Sequence, residues 1–152
     1  MPAGAQAPAV ALECALAAPA RFATGKRVPV KFALTNRGQA PVNVLTWNTP
    51  LEGWFGDFLA VERDGAAIDY RGKMVKRGKP ARSQYVRIAP GRTVRAEVDL
   101  AEAYGLDQPG QYSIRFRGAL QDAYAGKKTW PRPAPTPATV ECPALKIAIG
   151  SG

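Results

Sequence analysis

The sequence predicts an all-β fold, an antiparallel β-sandwich of about seven to nine strands, and three observations carry that expectation. Apolar residues alternate with polar ones in stretch after stretch, at the period of two that a half-buried strand requires. Glycine (15) and proline (14) are spread through the 152 residues, which suits many short elements joined by turns. No segment keeps a helical period for more than about two turns, and only Leu100-Ala101-Glu102-Ala103-Tyr104 is compatible with a helical turn.

Each strand has its own local reason. Val10, Leu12, Cys14 and Leu16 alternate with Ala11, Glu13 and Ala15, and after a Pro- and Gly-bearing connection Val28, Val30, Phe32 and Leu34 alternate with Pro29, Lys31, Ala33 and Thr35. Asn36-Arg37-Gly38 and Pro41 turn the chain into a strand from Val42 to Trp47. Phe58 to Glu62 and Ala67 to Tyr70 flank Arg63-Asp64-Gly65, and Asp-Gly is a strong signal for a two-residue hairpin. Tyr85 to Ile88 passes through Ala89-Pro90-Gly91 into Val94 to Leu100, and Tyr112, Ile114 and Phe116 alternate with Ser113, Arg115 and Arg117. Tyr112 sits in the opening turn of its strand, the place of the corner tyrosine of immunoglobulin-like domains, whose hydroxyl bonds upstream backbone. The last strand lies within Val140 to Ile149. Residues 1–152 are read as one such domain, with 1–9 a flexible N-terminal segment.

Composition narrows function. The chain has no histidine, which excludes Ser-His-Asp and Cys-His nucleophile systems and His-liganded zinc within it. No GxGxxG or Walker pattern occurs, so no cofactor, metal or hydrolytic activity is expected. Asp57, Glu62, Asp64 and Asp69 read as solvent-face acids of the hairpin. Cys14 and Cys142, 128 positions apart, lack metal or redox spacing; a long-range disulfide is expected, with two buried free thiols as the alternative. The opening MPAGAQAPAVALE shows no basic segment followed by an apolar one, so no signal peptide is read in it, and the mature chain is expected to be secreted or periplasmic. No apolar run approaches the ~20 residues of a membrane helix. A monomer without a membrane partner is expected.

From Tyr70 to Ala96 there are nine bases, Arg71, Lys73, Lys76, Arg77, Lys79, Arg82, Arg87, Arg92 and Arg95, and no acid. Nucleic-acid binding is not expected, because no recognition helix, zinc-finger spacing or aromatic interleaving accompanies the charge. The stretch GKMVKRGKPARSQ reads as a mobile exposed loop or short edge strand, where binding function usually sits. Lys73, Met74, Val75, Lys76, Arg77 and Lys79 are the candidate partner-binding residues, with Lys76 a substrate-like anchor if the partner prefers lysine. Trp47 and Trp54, with Asn48 between them, offer a second candidate: an adhesion or carbohydrate-binding module, although packing between sheets is the commoner use of such tryptophans. A periplasmic copper or redox protein is disfavoured by the absent histidine and only two methionines.

Four phrases taken in order, VPVKFALTNRGQAPVNVLTWNTPLEG, FLAVERDGAAIDYRGKMVKRGKP, YVRIAPGRTVRAEVDLAEAYGL and PGQYSIRF, resemble the amino-terminal region of deuterolysin-type (aspzincin) zinc metallopeptidases, including the peptidyl-Lys endopeptidases. The likeness runs from about Val28 to Phe116 and leaves 1–27 and 119–152 unmatched. It implies an immunoglobulin-like prodomain that assists folding of the peptidase and keeps it latent. The partner it implies is a secreted zinc metallopeptidase, met in cis on a precursor or in trans. The family's catalytic domain requires an HExxH helix and an Asp ligand, and this chain has no histidine to supply one.

Overall fold

The computed structural model describes residues 10–127, 129–132 and 134–150, so the expected flexible segment 1–9 lies outside the described residues. The fold is all-β. The nine expected strands form as β1 (Leu12–Ala17), β3 (Pro29–Asn36), β4 (Val42–Leu45), β5 (Leu59–Arg63), β6 (Ala66–Ala67), β7 (Tyr85–Ile88), β8 (Thr93–Asp99), β9 (Gly110–Phe116) and β13 (Leu145–Gly150). Short strands β2 (Arg21–Ala23), β10 (Ala119–Leu120), β11 (Ala123–Ala125) and β12 (Ala138–Thr139) bring the described count to thirteen. They are too brief for alternation to reveal. Residues Leu100–Glu102 form the expected helical turn, a 3-10 turn whose first amide pair is capped by Asp99 accepting from Ala101 N at 3.0 Å.

Two expected boundaries move, each for a local reason. The strand from Val42 ends at Leu45 instead of Trp47, because Asn48 takes a positive φ of 59° and turns the chain. The strand expected at 67–70 shrinks to Ala66–Ala67, since the chain leaves β5 after Ile68 and Tyr70 bridges to Tyr104 instead. The last strand starts at Leu145, where the alternation within 140–149 begins, beyond Cys142, which is bridged, and Pro143, which has no N–H to give a ladder.

Two antiparallel sheets face each other across the core. One has the order β1-β3-β8; the other has the order β2-β13-β9-β5-β6, with β2 joining β13 in parallel. Inward residues interleave between them: Val30, Phe32 and Leu34 of β3 meet Ile114 and Phe116 of β9, and the Phe32 and Phe116 rings stand 5.2 Å apart. Near Pro19 the N-terminal chain passes from the first sheet to the second, which divides β1 from β2. Cys14 on β1 bridges Cys142 ahead of β13, Cα atoms 4.6 Å apart, and staples the two sheets across 128 positions. The corner tyrosine is built as expected, with the buried Tyr112 hydroxyl donating to Gln108 O at 2.6 Å. The Asp64-Gly65 hairpin uses φ of 49° and 87°, the left-handed pair that matches strand twist.

A third sheet, β11-β4-β7, lends Val42, Val44, Ile88 and Ala123 to the main core and also carries a smaller apolar cluster of Leu45, Trp47 and Tyr85. A strap of residues 129–132 and 134–137 folds onto it. Asp122, fully buried, accepts from the Tyr85 hydroxyl at 2.7 Å, from Arg132 Nε and Nη2 at 2.9 and 2.8 Å, and from Thr136 N at 2.7 Å. Arg132 also lies over the Tyr124 ring at 3.8 Å. Burial opposes the Asp122 charge, but these hydrogen bonds and the Arg132 charge outweigh it and hold the carboxyl below its ordinary range. Burial, then the Asp122 hydrogen bond, pushes the Tyr85 phenol up to about 12.

Candidate functional site

The basic run does not form one face. Arg87 projects from β7, Arg92 lies in the turn before β8, and Arg95 sits on the outer side of β8 opposite Ala33. Linear clustering along 70–96 therefore splits over several elements, and the concentrated part is the segment 71–82. All six expected contact residues, Lys73, Met74, Val75, Lys76, Arg77 and Lys79, are exposed there.

Of the two expected forms, exposed loop or edge strand, this segment takes the exposed loop. It forms no strand, and three tethers hold it. At its start the Tyr70 hydroxyl donates to Lys73 O at 2.6 Å, an approach that requires Gly72, because a Cβ there would fall 2.3 Å from that hydroxyl. In the middle Val75 N donates to Phe55 O at 3.3 Å, while the Lys73 ammonium stands 5.7 Å from the Phe55 ring centre. Toward its end Arg77 lies 4.7 Å over the Trp47 ring and pairs with Glu52. Glu52 Oε2 also accepts from Asn48 N at 2.7 Å, so one carboxylate fixes both the 48–53 turn and the basic segment. Arg77 is thus a structural tether, its side chain only 28% exposed.

The two tryptophans of the sugar-binding candidate separate. Trp54 stacks on Phe58 at 4.7 Å and 2°, meets Tyr104 edge-on, and donates its indole N–H to Asp99 O at 3.0 Å; it is bound into the main core. Trp47 belongs instead to the small cluster, beneath Arg77. The candidate pair therefore forms no shared platform, and Trp47 with Asn48 joins the basic segment. Asp57 and Asp64 likewise have structural work: Asp57 accepts from the Tyr104 hydroxyl at 2.7 Å and from Arg117 at 3.0 Å, and Asp64 accepts from Gln111 N at 2.9 Å.

Two hollows adjoin on this side. One, of about 240 Å³, is lined by Trp47, Asn48, Phe55, Met74, Val75 and Arg77 among others. The second, of about 380 Å³, is walled by Trp47, Tyr85, Trp130, Pro131 and Pro135, with Lys79 at its edge. Trp47 and Gln121 line both. Among the described residues the large apolar side chains left exposed are Phe55, Met74, Val75 and Trp130, and all four line these two hollows. Sequence reasoning missed Phe55, Gln121 and Trp130. The only available signal for the last was its position at the head of a proline-rich run, WPRPAPTP.

Among the described residues no group of three or more His, Cys, Asp or Glu is placed to hold a metal ion. Among the described residues no helix is long and apolar enough to cross a membrane.

No protein-family model matches the chain. It is similar to part of several proteases: 35% identical over 89 residues to an extracellular protease of Aeromonas hydrophila, covering 59% of this chain and 25% of that protein. It is 32% identical over 95 residues to a neutral protease 2 homolog of Arthroderma gypseum, and 29% identical over 102 residues to one of Coccidioides posadasii. The chain spans about a quarter of the length of these relatives. Among solved structures, a CARDB domain of Pyrococcus furiosus covers 94% of the chain at a TM-score of 0.43 and 9% identity. The disulfide and the extracellular relative are compatible with an extracellular location, and this all-β chain is similar to a part of these proteases.

Proposed function

We propose that this chain is a non-catalytic module that binds a secreted zinc peptidase of the deuterolysin type and keeps it latent, acting on the same precursor or in trans. The observation that carries the reading is the reach of the protease likeness: it takes in 59–66% of this chain and only 25–28% of each relative, in a chain with no histidine for an HExxH helix. A part of a protease that lacks the catalytic ligands acts on the peptidase and not on the substrate. The module works as a monomer in an oxidising compartment, where its single bridge persists. Lys73, Met74, Val75, Lys76 and Lys79 are the proposed contact residues, with Arg77 holding the segment in shape. Steering of such a basic surface toward an acidic cleft raises the association rate and weakens with salt.

The test is titration of the purified chain into a deuterolysin-type zinc peptidase, followed by calorimetry and casein hydrolysis. Formation of a one-to-one complex with loss of hydrolysis is the expected result. A peptidase that neither binds the chain nor loses activity rejects the reading.

A further inference from the structure

The exposed apolar residues and the unpaired charges of this surface specify more than a contact area. Phe55, Met74, Val75 and Trp130 occupy two hollows joined at Trp47 and Gln121, so the apolar groups are arranged as a groove with two pockets. A hollow of about 380 Å³ with aromatic walls accepts a leucine or phenylalanine side chain, and isolated exposed aromatics would not create that volume. Beside it, Trp47 Nε1 is a buried donor without an acceptor, at the wall common to both hollows.

Charge selects what lies between the pockets. Each acid that lines or supports the groove is already paired from within: Glu52 with Arg77, Asp57 with Arg117, Asp122 with Arg132. Lys73, Lys76 and Lys79 form no salt bridge among the described residues. The net field presented outward is therefore positive, around apolar seats. That combination favours an acidic segment carrying bulky apolar residues and disfavours a basic or a purely polar one.

We infer that the groove seats one acidic segment of the peptidase, with one apolar side chain in the Trp130–Tyr85–Trp47 pocket and a second against Phe55, Met74 and Val75. This rests on the proposed function for the identity of the partner, but the groove's preference for an acidic, apolar-anchored chain stands on its own residues. Trp130 is the chief anchor: it is 38% exposed, its ring meets Tyr85 edge-on at 5.9 Å, and burying it completely on binding is what an aromatic hot spot does.

The decisive experiment uses the full chain, its Trp130→Ala and Trp130→Phe variants, and two kinds of probe. One is a deuterolysin-type peptidase; the other is a set of blocked peptides, Glu-Leu-Asp-Phe-Glu, its all-alanine-core version and its Lys-for-acid version, followed by nuclear magnetic resonance of the indole N–H groups. Thermal melts first establish that both variants fold. The expected results are about tenfold weaker peptidase binding for Trp130→Ala, recovery with Trp130→Phe, and indole shifts produced by the acidic leucine-phenylalanine peptide alone. Full peptidase affinity in folded Trp130→Ala overturns the groove while leaving the proposed function intact. Indole shifts with the acidic peptide, in a parent chain that does not bind the peptidase, uphold the groove and reject the peptidase as partner. Equal response to all three peptides overturns it.

Discussion

The stapled sandwich and the groove side of the molecule are held together by different physics. In the sandwich, fully buried Phe32, Leu34, Ile114 and Ile147 meet across the two sheets, each worth on the order of 1.5–3 kcal/mol of burial, and a covalent bridge closes the edge. On the groove side the 71–80 segment has no regular structure, and individual polar tethers set its shape, Tyr70 on Lys73, Val75 on Phe55 and Arg77 on Glu52, while Arg132 on Asp122 holds the residues that follow Trp130. A region fixed by many diffuse contacts tolerates loss of one. A region fixed by a few directional contacts can present unpaired lysines and apolar side chains outward without collapsing, and the same economy makes each tether individually important. Stability and presentation are thus assigned to separate parts of one chain.

Breaking the sandwich side gives the largest effect. In the chain-entropy account, a bridge spanning 128 positions contributes about 5 kcal/mol, so Cys14→Ser combined with Cys142→Ser should lower unfolding free energy by roughly that amount. Denaturant unfolding measures it, and intact mass with alkylation confirms that the parent carries no free thiol. Groove contacts should survive in whatever fraction remains folded.

Next in size is the strap. Arg132→Ala leaves the buried Asp122 charge without its cation, which costs about 3 kcal/mol or more. The pH signs follow from the two shifted groups. Asp122 is held below its ordinary 3.8, so its contribution is present above that pH and disappears as pH falls through the lower folded value. Tyr85, raised from 10.0 to about 12, contributes fully below pH 10 and loses that contribution as pH climbs toward 12. Melting temperature against pH should fall on both flanks in the parent, and Asp122→Asn should flatten the acid flank at a lower plateau. An unchanged acid flank in Asp122→Asn would separate the strap from this titration.

How much of this was readable in advance follows the same division. Period-two alternation exposed β1, β3, β8 and β9, the Asp64-Gly65 pair exposed the hairpin, and Tyr112 after Pro109-Gly110 exposed the corner, because each depends on neighbours a few positions away. The bridge between Cys14 and Cys142 was also legible, since only two cysteines exist. The groove was legible in half. The basic segment announces itself by composition, but Arg77 reads there as one of the partner-contact residues, and its tethering role depends on Trp47 and Glu52, 30 and 25 positions earlier. Trp130 depends on Tyr85 and on a strap anchored by Asp122, relations that no local pattern encodes. Trp54 follows the commoner of its two sequence readings, packing on Phe58 and Tyr104 against the core instead of sharing an aromatic platform with Trp47.

The smallest effect on stability should accompany the clearest effect on binding rate. Lys73, Lys76 and Lys79 are exposed and form no salt bridge among the described residues, so replacing all three with serine removes no carboxylate pair and relieves mutual repulsion. Each change should move unfolding free energy by no more than about 0.5 kcal/mol. Arg77 is left in place, because it tethers the segment through Trp47 and Glu52, and its loss would confuse loosening with discharge. If the lysines steer the groove onto an acidic partner, the triple variant should associate about tenfold more slowly with a deuterolysin-type peptidase at low salt, with dissociation little changed. Raising ionic strength shortens the Debye length to about 3 Å at 1 M, so the two proteins should converge there. Stopped-flow association at several salt concentrations makes the measurement. A gap that persists at 1 M would mean that the lysines act through contacts and not through their field, and identical rates at low salt would remove them from recognition and leave the apolar seats alone.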